Sequence, residues 1–184
     1  MKFLIKSIVI KMSEEVVPIH AQEYFNVAND GEITQVVIFY YYDPKGYYEE
    51  LANRGEIGKE LDKMLINMQN FLDEEKVYLN EQRVRPKVIG ADLSFVSPEI
   101  VSATFIIKFK GTLRKGINVY EDHYEPEIAE YDYEIYWIFP PGWKVIDVDM
   151  AGDHEIIGDG NILVVWAEEG INIGDHEQIL FYIP

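Results

Sequence analysis

In residues 101–110 apolar side chains fall on every second position. Val101, Ala103, Phe105, Ile107 and Phe109 alternate with Ser102, Thr104, Ile106, Lys108 and Lys110. Tyr131, Tyr133, Ile135 and Trp137 alternate with Asp132, Glu134, Tyr136 and Ile138 in the same way. A period of two sends one set to each face of a strand, so these stretches specify sheet with one core side and one wetter side. Strong helical spacing occurs once. Leu61, Met64, Leu65, Met68 and Leu72 make one apolar stripe, which predicts a helix over 58–75. A shorter helix is expected at 47–53, ending near Arg54-Gly55.

Further strands are expected at 3–12, 88–96, 144–149, 161–166 and 178–183. Another pair, 23–28 and 32–42, flanks Asn29-Asp30-Gly31, a hairpin signal. Asp43-Pro44-Lys45-Gly46 carries the residues of a type I turn. The expected fold is therefore α+β and β-dominated, with antiparallel sheets packed like a sandwich and one main amphipathic helix. The 184 residues make a single domain, or two lobes. These would be a hairpin-plus-helix lobe at 1–97 and an acidic antiparallel β lobe at 98–184.

Charge divides the chain sharply. Residues 121–184 hold sixteen Asp and Glu against one base, Lys144, out of 33 acids and 16 bases in all. The last third thus carries −15 of the net −17. Such a surface repels phosphate backbones and excludes ordinary nucleic-acid binding. It calls for a cation, a basic partner or an acidic medium. Clustered acids also raise one another's pKa, so stability is expected to rise as pH falls from 7 toward about 5. A content of 48% hydrophobic and 14% aromatic residues, with 13 tyrosines, describes a folded chain and not an acidic tail.

No cysteine is present, which excludes disulfides and thiolate ligands. The first eleven residues have apolar runs of three broken by Lys6 and Lys11, short of a signal peptide's core. No segment approaches the roughly 20 apolar residues of a membrane span. The expectation is a soluble chain, cytoplasmic by default. Because it stops on the strand-like 178–184, it also reads as a piece cut from a longer, membrane-anchored protein, which would place it outside the cytoplasm.

Three of the four histidines directly follow an aspartate, at His123, His154 and His176, and Gly152-Asp153-His154-Glu155 recurs as Gly174-Asp175-His176-Glu177. Asp147, Asp149, Asp153, His154, Glu155, Asp175, His176 and Glu177 are the candidate metal ligands. Oxygen donors favour calcium, imidazoles favour zinc, and calcium is the better match to the loop 147–155. That loop is not an EF-hand, since Ala151 and Gly158 stand where ligands are required. The plainer role is that each Asp caps a turn and each His rides half-exposed on a strand. Tyr40, Tyr41, Tyr42, Tyr47 and Tyr48 bracket a tight turn and are a candidate binding surface, or else alternate between core and sheet surface. Paired acids such as Glu125 with Glu127 admit glycoside hydrolysis but are too common here to single out a pair. Ser elbows and phosphate loops are missing.

Pro140-Pro141-Gly142-Trp143, Ile162 to Trp166, and Gly174 leading into Gln178 to Ile183 resemble the closing strands of Ig-like β-sandwich ectodomains of prokaryotic surface proteins. The resemblance covers about 45 residues and implies binding or spacing in place of catalysis. The leading expectation is a non-enzymatic β-rich interaction module with a strongly anionic C-terminal face. The alternatives are a metal-dependent hydrolase using His, Asp and Glu from 122–177, and an acidic inhibitor or nucleic-acid mimic that docks a basic protein.

Overall fold

The computed structural model describes residues 16–184; the strand expected at 3–12 lies outside the described residues. In chain order the elements are β1 (Val17–Val27), β2 (Glu32–Tyr42), α1 (Tyr47–Asn53), α2 (Ile57–Glu74), β3 (Lys76–Leu79), β4 (Gln82–Arg83), β5 (Lys87–Ser97), β6 (Ile100–Lys110), β7 (Gly116–His123), β8 (Tyr133–Ile138), β9 (Lys144–Asp149), β10 (Asp153–Ile157), β11 (Ile162–Ala167) and β12 (His176–Ile183). They form a β-dominated α+β fold of two sheets. One has seven strands in the order β10-β11-β8-β1-β2-β6-β5, the other five in the order β4-β3-β7-β12-β9. Among the described residues every strand pairing is antiparallel except β1 with β8. Both sheets draw strands from each side of residue 98.

The inner faces follow the alternation. Phe25, Val37, Phe39, Phe105, Ile107, Ile135, Trp137, Leu163 and Val165 from the large sheet meet Val77, Leu79, Tyr120, Ile179 and Phe181 from the small one in one continuous core. Aromatic contacts run within and between the layers: Trp137 stacks on its cross-strand neighbour Phe25 in the large sheet with centroids 3.9 Å apart and reaches Tyr120 of the small sheet at 4.5 Å, and Phe139 meets Phe181 at 4.8 Å. Offset and tilted ring pairs of this kind add to the area they bury.

Asp43 sets the start of α1. Its Oδ1 and Oδ2 accept the backbone N–H groups of Tyr47 and Tyr48, each at 2.9 Å, satisfying donors that a helix start leaves open. The next helix, α2, buries Met64, Met68 and Leu72, as its stripe predicted. Gln69 on the same helix donates to the Pro86 carbonyl at 3.3 Å and accepts from Val88 N–H at 3.0 Å. One side chain thereby occupies backbone groups that the edge strand β5 would otherwise expose. On the opposite side of the sandwich, Met150 to Gly152 carry the chain from β9 in the small sheet to β10 in the large one.

Candidate functional site

Three regions hold chemistry-bearing side chains. The first is the outer face of the five-stranded sheet. In the β7–β12 pairing His123 stands directly opposite His176, and their rings stack with centroids 6.1 Å apart and planes 20° from parallel. His176 Nδ1 lies 3.0 Å from Asp175 Oδ1, and its Nε2 lies 3.3 Å from Asp149 Oδ2 on β9. The Asp175 hydrogen bond, with the Asp149 carboxylate adding to it, holds the His176 pKa above its ordinary value. On the far side of His123 the Tyr78 ring meets it edge-on at 5.9 Å. Lys76, Tyr78, Glu81, Glu121 and His123 line an open depression of about 480 Å³ there.

The second region is interior. Glu23 on β1, Asp122 on β7 and Glu177 on β12 point between the sheets, with Glu75 just after α2 also buried. Asp122 and Glu177 are direct cross-strand partners. The Gln35 amide donates to Glu23 Oε1, and Glu75 shares a hydrogen bond with Asp122. Among the described residues, Glu23 Oε2 and Glu177 Oε1 accept no hydrogen bond. Burial pushes the Glu23 carboxyl well above its usual range, with the Gln35 bond opposing and the Glu177 charge adding. Burial likewise pushes Glu177 up to about 7, with Asp122 adding. The hydroxyls of Tyr120, Tyr124 and Tyr133 nearby are raised by burial and then by these carboxylates. In an interior of low dielectric the neutral acid is the cheaper form.

The third region is the outer face of the seven-stranded sheet, over which no further layer packs among the described residues. Register places Asp153, Trp166, Glu134, Gln22 and Ile38 in one cross-strand row, and Glu155, Val164, Tyr136, Tyr24 and Val36 in the next. Tyr24 and Tyr136 stack at 4.9 Å. Tyr136 Oη donates to Glu134 at 3.0 Å, and the Gln22 amide donates to the same oxygen at 3.4 Å. Trp166 keeps 39% of its surface exposed.

The eight ligand candidates divide among these regions. Asp149, Asp175 and His176 come together. Asp147 lies two pairings further along β9, beside Leu180. Asp153, His154 and Glu155 form part of β10 in the other sheet, and Glu177 turns into the core. Among the described residues no three His, Asp or Glu side chains already close on a common point fit for an ion. Of the five tyrosines, Tyr41 and Tyr48 are core residues, whereas Tyr40, Tyr42 and Tyr47 reach the surface.

Sequence reasoning passed over Glu23 and Asp122 as interior acids. The signal was there, because Glu23 shares its parity with Ala21 and Phe25, Asp122 with Tyr120, and Glu177 with Ile179. Among the described residues no helix is long and apolar enough to cross a membrane. Comparison with protein-family models and with curated proteins returned no match.

Proposed function

We propose that this protein is a non-enzymatic binding module that engages a cationic protein surface through its acidic strands. One observation carries the reading: the outer face of β8, β10 and β11 interleaves the carboxylates Glu134, Asp153 and Glu155 with the rings of Tyr136 and Trp166. Carboxylates steer and orient a basic partner, while exposed aromatic rings supply contact area and cation–π attraction to Arg and Lys. Strands in a packed sandwich hold these groups rigidly, so little order has to be created on binding. A place among surface-protein domains is part of the same reading. Two facing sheets with most of their charged side chains turned outward suit a domain that binds or spaces.

The experiment is calorimetric titration with an arginine-rich peptide at low and high salt. Wild-type binding is expected to weaken steeply as NaCl rises from about 0.05 to 0.5 M, as the Debye length shrinks from about 13 to about 4 Å. Trp166→Ala leaves the charge untouched and is expected to weaken binding at least about tenfold, as for a central aromatic contact. If Trp166→Ala binds as tightly as wild type, the attraction is bulk charge alone and the proposed face is not the site. Salt-insensitive or absent binding would also remove the reading.

A further inference from the structure

The outer face of the five-stranded sheet carries a second chemistry, independent of the binding face. We propose that His123, His176 and Asp149 form a surface site for one divalent transition-metal ion of the zinc class, with Asp175 supporting His176 from behind. Three separate features of the geometry point there.

His176 and Asp149 already have the spacing of co-ligands. Two donors bound at about 2.0–2.1 Å in a tetrahedral site sit about 3.3 Å apart, and His176 Nε2 is 3.3 Å from Asp149 Oδ2. An ion placed between them would face one ring nitrogen and one carboxylate oxygen held on neighbouring strands, β12 and β9.

The other ring nitrogen of His176 is occupied as a metal-bound histidine requires. A ligating imidazole almost always gives its second N–H to a carboxylate or carbonyl, which fixes tautomer and ring orientation. Here Asp175 Oδ1 stands 3.0 Å from Nδ1, leaving Nε2 to face Asp149 and the ion.

His123 supplies the third donor. Directly opposite residues in an antiparallel pair have Cβ atoms about 4.5–5.5 Å apart, and His123 faces His176 in that way. Imidazoles sharing one tetrahedral ion have ring centres about 5 Å apart; from the observed 6.1 Å, binding would require the exposed His123 side chain to turn toward the ion. Water fills the remaining position. Two imidazoles and one carboxylate select zinc-class ions over calcium and magnesium, which prefer all-oxygen shells. The Asp149 and Asp175 charges attract the cation, and Glu121, in the next row of the same face, adds to the field.

The test is zinc titration of the metal-free protein against a chromophoric chelator, with imidazole NMR signals followed in parallel. One equivalent is expected to bind and to shift the His123 and His176 resonances together. His123→Asn and His176→Asn should each remove binding, Asp175→Asn should weaken it about 10- to 100-fold, and His154→Asn, on the other sheet, should leave it unchanged. All four positions are exposed, and thermal melts without metal will show the variants folded. Undiminished binding by His123→Asn or His176→Asn overturns the assignment, as does an affinity weaker than about 1 mM. Calcium shifting the same imidazoles would overturn the choice of ion.

Discussion

A carboxyl group on the inner side of β1 must either keep its proton or carry a charge in a medium that barely solvates it. Glu23 is in that position, with 0% of its surface exposed and Oε2 without a hydrogen bond among the described residues. Burial raises its pKa well above the ordinary 4.5. Below about pH 4.5 the group is protonated in folded and unfolded chains alike and contributes no pH dependence. Above it the unfolded chain releases the proton first, the folded state binds more protons, and stability falls as pH rises toward the folded pKa. The protein is therefore expected to melt at higher temperature at pH 5 than at pH 8, measured with chelator present. Glu23→Gln should reduce that difference, with Glu177 supplying the remainder, and should stabilise the protein at pH 8 by about 1–3 kcal/mol, the order of the desolvation penalty that the removed charge carries. Melting curves that keep the same pH difference in the variant would place the proton linkage elsewhere. The expected rise in stability on acidification therefore has an interior source, the desolvation of buried carboxyls such as Glu23 and Glu177.

At the scale of elements, the repeated Gly-Asp-His-Glu segment shows how one tetrapeptide takes two fates. The first copy starts β10, an edge strand exposed along its whole length, and its Glu155 faces water. The second leads into β12, a central strand, and its Glu177 is buried. Both glycines adopt positive φ, 90° at Gly152 and 79° at Gly174. A Cβ at Gly152 would lie 2.2 Å from the Trp166 carbonyl oxygen, whereas one at Gly174 meets nothing within 4 Å. Gly174→Ala should cost about 1–2 kcal/mol from the left-handed backbone alone. Gly152→Ala should cost a further 1–3 kcal/mol or so for the clash with backbone that cannot yield; urea unfolding of the two variants measures the gap, and equal losses would contradict it. The same elements mark what was legible in the sequence. The β2, β6 and α2 patterns were clear because apolar residues kept to one face. The strand β7 was not, because its inner face carries Asn118, Tyr120 and Asp122 while Ile117 and Val119 point outward. Edge strand β10 has no buried face to generate alternation. The β3–β4 hairpin turns through Asn80 and Glu81, both at positive φ, without the usual glycine. The His123–His176 pairing depended on β7 lying beside β12, a long-range fact that no local pattern encodes, although Asp149, Asp175 and His176 were singled out by type and spacing.

For the molecule as a whole, the topology turns a division along the chain into a division in space. The acidic last third supplies β8, β10 and β11 at one end of the large sheet and β9 and β12 at the matching end of the small one. The near-neutral first part supplies β2, β5 and β6 at the other end, with β3, β4 and the helices. Bases that make ion pairs lie mostly at that second end, as in Lys108 with Glu32 at 2.7 Å and Lys110 with Asp30 at 2.6 Å. Those pairs are exposed and worth about 0–1 kcal/mol each. Residues 121–184 hold sixteen Asp and Glu, all but Asp122 and Glu177 outside the core, against one lysine, Lys144, so like-charge repulsion there is expected to outweigh what salt would take from the pairs. Raising NaCl from about 0.05 to 0.5 M, which cuts the screening length from about 13 to about 4 Å, should therefore stabilise the fold. A gain of about 1 kcal/mol corresponds to a rise of about 2–4 °C in Tm for a chain of this size, read by calorimetry at pH 7 in metal-free buffer. A Tm that falls with salt would mean that the ion pairs, and not the acidic end, dominate the electrostatics of the folded state.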